Sequence, residues 1–108
     1  TAPVIFHREQ DRSEYSGVMV DLSLGGMSIQ SDAQLKNEDN LKIKFELPND
    51  MRFIFLSRVI SARSENGKNV YGLKFIKQDP VDRMNLSEFI MQKRTEQEFW
   101  IKDRIKEY

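Results

Sequence analysis

The segment Leu41-Lys42-Ile43-Lys44-Phe45-Glu46-Leu47 constrains this chain most. Apolar and charged residues alternate there without a break. A period of two puts Leu41, Ile43, Phe45 and Leu47 on one side of an extended strand and Lys42, Lys44 and Glu46 on the other. No helix can sort that pattern into an inside and an outside, so a sheet with one wet face is required. The same reading extends over much of the chain. Residues 2–9 form a β-branched run, and residues 17–22 alternate, with Val18, Val20 and Leu22 expected on one face and Met19 and Asp21 on the other. Met27 and Ile29 share a face. Residues 52–63 are β-branched and aromatic and long enough to bend, with Phe53 and Phe55 expected in the core. Asn66-Gly67 then turns the chain back through residues 69–77, where Tyr71, Leu73 and Phe75 align.

Six strands at roughly ten-residue spacing predict an antiparallel β-barrel over about residues 2–77, since closure removes exposed edges. The period changes at Asp79. Asp79 can cap a helix, Pro80 suits its first position, and Asp82 suits its first turn. Leu86, Phe89 and Ile90 make one apolar stripe. Phe99, Trp100, Ile101, Ile105 and Tyr108 make a second, beyond a polar waist that contains Lys93-Arg94. The expectation is one mainly β domain over residues 1–108 with a C-terminal α-helical segment over about 79–108, as one long helix or two. The second stripe is a candidate for packing on the barrel or for a homodimer. A chain that opens directly on a strand is expected to be a domain excised from a longer protein.

Composition removes several functions. With no Cys among 108 residues there is no disulfide, thiolate metal site or thiol nucleophile. The 17 Lys and Arg balance 17 Asp and Glu, which argues against binding a nucleic acid polymer, single-stranded oligonucleotides included. Apolar runs are too short to span a membrane, and Thr1-Ala2-Pro3 does not open a secretory signal, so a cytoplasmic, reducing compartment is expected. The single His7 lies in a strand without a partnering His or carboxylate motif, and reads as structural. No phosphate-loop, nucleophile-elbow or dinucleotide glycine pattern occurs; the expectation is no enzyme, no metal and no cofactor.

The segment with chemical content is Val20-Asp21-Leu22-Ser23-Leu24-Gly25-Gly26-Met27-Ser28-Ile29. An outward carboxylate ends a strand, a hydroxyl follows two residues later on the same side, and two glycines permit a tight turn or close approach of a flat ring. A carboxylate can accept two N–H groups of a guanine edge or anchor an arginine. The same residues also suit a purely structural turn, in which Asp and Ser satisfy local N–H groups.

Asp21-x-Ser23-x-x-Gly26 resembles the Asp/Asn-x-Ser-x-x-Gly motif of PilZ domains. The likeness covers most of the chain: the motif is followed by an L-x-I-x-F-x-L-P strand, the V-I-S-A-R strand, the Y-G-L-K-F segment (Tyr71 to Phe75) and a helix. The resemblance implies a PilZ-like split barrel and a receptor for the bacterial second messenger cyclic di-GMP. Asp21 would hold a guanine edge, Ser23 a guanine or phosphate, and Gly25 and Gly26 would leave room for base and backbone. An Arg-x-x-x-Arg pair ahead of the first strand would stack on guanines and bind phosphate. Arg8-x-x-x-Arg12 matches that spacing but falls after the first strand, at its hairpin, so the ligand pair is expected upstream of Thr1. Of Arg58 and Arg63, five apart and expected on opposite faces, Arg58 is the preferred additional contact. The implied partners are cyclic di-GMP and a protein of flagellar, pilus or polysaccharide-secretion machinery. The alternative is a degenerate adaptor that binds protein without nucleotide.

Overall fold

The computed structural model describes residues 2–10, 13–48 and 50–96. Six antiparallel strands, β1 (Ala2–Arg8), β2 (Glu14–Leu22), β3 (Gly26–Ser31), β4 (Asn40–Glu46), β5 (Arg52–Glu65) and β6 (Lys68–Lys77), close in the order β1-β2-β3-β6-β5-β4. One helix follows, α1 (Pro80–Glu96). Arg12, the side chains of Lys93 and Arg94, and the second apolar stripe with its expected homodimer contact lie outside the described residues.

Alternation works as expected in β4, where Leu41, Ile43 and Phe45 are buried, with Leu47 just beyond the strand, while Lys42, Lys44 and Glu46 face solvent. Phe45, Phe53, Phe55 and Phe75 meet inside the barrel, and the Phe55 and Phe75 rings pack edge to face with centroids 4.7 Å apart. Asn66 and Gly67 both take positive φ, 51° and 78°, in the two-residue turn between β5 and β6. Such a turn matches the right-handed strand twist, so Asn-Gly is the residue pair it favours. The Asp79 carboxylate accepts the Val81 and Asp82 N–H groups at 3.1 and 3.3 Å, which caps α1. Leu86, Phe89 and Ile90 bury the helix's apolar stripe in the same core as the strands.

Two expectations about facing are corrected. In β2 the buried apolar residues are Met19 and Leu22, both fully enclosed, whereas Val18 is 39% exposed. Met19 pairs with Ile29 but Asp21 pairs with Ser28, so the register slips at Val20. This β-bulge inserts an extra residue, and strict alternation fails across it. In β5, Val59 pairs with Leu73 and Ser61 with Gly72, so Ile60 is likewise extra. Arg58 opposite Lys74 and Arg63 opposite Val70 therefore lie on the same outer face, not on opposite ones.

The four-phenylalanine cluster is a large contributor to the barrel core. Phe55→Ala, which empties the centre of that cluster, is expected to lower unfolding free energy by about 3–5 kcal/mol. Urea denaturation followed by Trp or Tyr fluorescence measures it.

Candidate functional site

The bulges at Val20 and Ile60 bring polar residues of four neighbouring strands into one line. Asp21 of β2 lies opposite Ser28 of β3, Ser28 opposite Gly72 of β6, and Gly72 opposite Ser61 of β5. Residues directly opposite in a ladder share a face, and strands lie about 4.8 Å apart, so the line spans roughly 14 Å. It forms the floor of an open concavity of about 350 Å³ on the outer wall. Ser23, Gly25 and Gly26 edge one end, and Arg63 and Lys74 flank the line on either side. Each cation is two residues along its strand from the floor, so each stands about 7 Å from the line.

The turn after β2 is tied down from several sides. Ser23 donates through both its N–H and its Oγ to the Gly26 carbonyl, at 2.9 and 3.2 Å. The Phe75 N–H donates to the Gly25 carbonyl at 2.8 Å, and the Gln78 side chain donates to the Leu24 carbonyl at 3.2 Å. The turn is thus clamped to β6 and to the segment that leads into α1. Gly25 and Gly26 are not among the glycines with positive φ. The need for Gly26 is one of space: a Cβ there would run into the Leu73 carbonyl oxygen of β6. At Gly72 a Cβ would meet the Ser61 Oγ, and its absence keeps the middle of the floor low.

Asp21 is 5% exposed and Ser23 9%. Asp21, expected as an outward carboxylate, does face out of the barrel but from the bottom of a recess, where water is scarce and a charge-assisted bond is stronger. The structure brings Asp21, Ser23, Gly25 and Gly26 together in one wall. It does not bring in Arg58, whose Nε donates to the Asn40 side chain at 3.2 Å and which does not line the concavity. Arg63 does line it. It was missed because the slip at Ile60 is invisible to a period-two count; the Ser61 and Gly72 pair that marks the slip carries no apolar signal.

Arg8 is placed as expected, away from this site. The β1–β2 register sets Ala2 opposite Met19 and His7 opposite Glu14, so Arg8 lies at the far end of β2 from Asp21. Its guanidinium donates to the Gln34 carbonyl and to the Tyr15 hydroxyl, both at 3.1 Å, and approaches the Asp39 carboxylate at 3.8 Å. His7 sits 3.3 Å from Glu14 across the same hairpin. Among the described residues no cluster of three or more His, Asp or Glu is placed to hold a metal ion, and no helix is long and apolar enough to cross a membrane.

A closed six-stranded antiparallel barrel, with its polar recess beside the turn after β2 and one helix at its C-terminal end, defines a small mainly β domain. The PilZ domain family model matches residues 2–92. The chain belongs to the PilZ domain family. Among solved structures it is similar to YcgR from Escherichia coli in complex with c-di-GMP, with TM-score 0.76 and 22% identity over 88% of this chain and 42% of that one. The PilZ domain of the same YcgR with c-di-GMP superposes with TM-score 0.72 at 20% identity, covering 88% of this chain and 83% of that one. The PilZ domain of CeSA from a cellulose-synthesizing bacterium follows at TM-score 0.61 and 21% identity, covering 87% and 93%. At these identities the likeness is one of fold, and the chain spans less than half of the YcgR structure. No curated protein matches it by sequence.

Gly26 and Gly72 are expected to behave differently. Gly26→Ala forces β3 away from β6 because its clash is with backbone, and should cost about 2 kcal/mol or more. Gly72→Ala meets only the end of a serine side chain, and should stay within about 1 kcal/mol of the unaltered protein. Thermal unfolding of the pair distinguishes them.

Proposed function

We propose that this domain is a non-enzymatic receptor for cyclic di-GMP. The observation that carries the reading is the combination in one recess of a deep carboxylate, Asp21, with two cations, Arg63 and Lys74, on either side of a shallow polar floor. A guanine edge offers adjacent N–H donors, which a carboxylate accepts as a pair. Phosphates call for Arg or Lys, and Arg can take two phosphate oxygens at once. A low floor of Ser28, Gly72 and Ser61 admits a flat base that a larger side chain would lift away. Asp21 is the guanine anchor, Ser23 supports the same end, and Gly25 and Gly26 let base and backbone come close. Family membership supports the reading, as do the two YcgR structures whose ligand is c-di-GMP.

The β1 register adds a mechanism. Ala2 pairs with Met19, two residues from Asp21, so any segment that leads into β1 arrives beside the recess. An Arg-x-x-x-Arg pair on such a segment would close over the ligand as the mobile half of the site, against the clamped turn as the fixed half. Ordering that segment would alter the face shown to a protein partner of flagellar, pilus or polysaccharide-secretion machinery, in the bacterial cytoplasm.

Calorimetric titration of cyclic di-GMP into the full-length protein tests the reading. Asp21→Ala should weaken binding at least about a hundredfold, through loss of two charge-assisted bonds, and Ser23→Ala about tenfold. Both variants should keep the circular dichroism of the folded barrel. Unchanged affinity in both would sink the site assignment.

A further inference from the structure

Arg63 already has an anionic partner. Its Nε donates to Glu65 Oε2 at 2.7 Å, within the outward end of β5 just before the Asn66-Gly67 turn. The two side chains leave the same face because they are two residues apart on one strand. Both are half exposed, at 50% of side-chain area each, so the pair stands at the rim, where water screens it. Arg63, a residue of the recess lining, is thus held by a carboxylate of its own hairpin before any ligand arrives.

We propose that Glu65 is a built-in competitor for the ligand's phosphate, holding Arg63 in an ion pair that binding must exchange. The inference rests on the cyclic di-GMP reading above and adds a regulator to that site. The exchange is cheap in this geometry. An exposed ion pair is worth at most about 1 kcal/mol, less than a charge-assisted bond to phosphate in a recess. Lys68 lies directly opposite Glu65 in the β5–β6 ladder, so a cation stays beside the carboxylate after Arg63 turns inward. Other anions likewise find Arg63 already engaged. Glu65 therefore lowers affinity for any anion that must engage Arg63, the ligand's phosphate included.

A double-mutant cycle read by calorimetry with cyclic di-GMP tests this. Arg63→Ala should weaken binding about tenfold, and Glu65→Gln should strengthen it about two- to fivefold, the worth of an exposed ion pair. In the Arg63→Ala background, Glu65→Gln should change affinity little, because its target is gone. If the gain from Glu65→Gln persists undiminished without Arg63, the carboxylate acts only through its general field and the proposal is overturned. If Arg63→Ala leaves affinity unchanged while Asp21→Ala removes it, the receptor reading stands and this inference fails. If the unaltered protein takes up no cyclic di-GMP, both fall together.

Discussion

The close approach of β3 and β6 at Gly26 is the contact on which the wall of the recess depends. A side chain of any size at Gly26 would press on the Leu73 carbonyl, and the two strands would part. They stay in register from Gly26 opposite Lys74 to Ser31 opposite Asn69, and this contact joins the β1–β2–β3 half of the barrel to the β6–β5–β4 half. The motif turn is then held by Phe75 and Gln78, which belong to β6 and the linker after it. The same glycine that lets the barrel close also fixes the position of Asp21 and Ser23 relative to β5 and β6.

The second constraint is the pair of one-residue bulges. Without the slips at Val20 and Ile60, the outer faces of β2 and β5 would present a different set of residues to the recess. Bulges recur where a sheet must re-aim side chains, and here both act on one patch. Asp21 and Leu22 end up adjacent in sequence yet both buried, one at the bottom of the recess and one in the core. Ser61 and Arg63 turn toward the same concavity as Asp21. Apolar packing inside the barrel and the polar recess outside it both depend on the same backbone irregularities.

Most of the architecture was legible in the sequence because it rests on local rules. Unbroken alternation in β4, the Asn-Gly turn, the Asp79 cap and the stripe of Leu86, Phe89 and Ile90 each carry their own signal and each stands as expected. The residues of the turn after β2 were legible as a motif, and the structure collects Asp21, Ser23, Gly25 and Gly26 at one end of the recess. Facing in β2 and the choice between Arg58 and Arg63 were not legible. A bulge depends on pairing with a neighbouring strand, and no window of a single strand contains that information. Spacing put Arg58 and Arg63 on opposite faces and could not choose between them; the preferred Arg58 has its guanidinium engaged by Asn40 on the adjacent strand β4.

By itself, the sequence determined that this chain must be an antiparallel barrel followed by a capped helix. Periodicity, turn chemistry and capping are properties of neighbouring residues. It also determined, by the order and spacing of Asp21, Ser23 and Gly26, which corner carries the Asp-x-Ser-x-x-Gly motif. Only the tertiary structure decided what stands across from that corner. The distance between a carboxylate on β2 and an arginine on β5 is set by strand order, register and two slipped residues, all of which arise when non-adjacent strands pair.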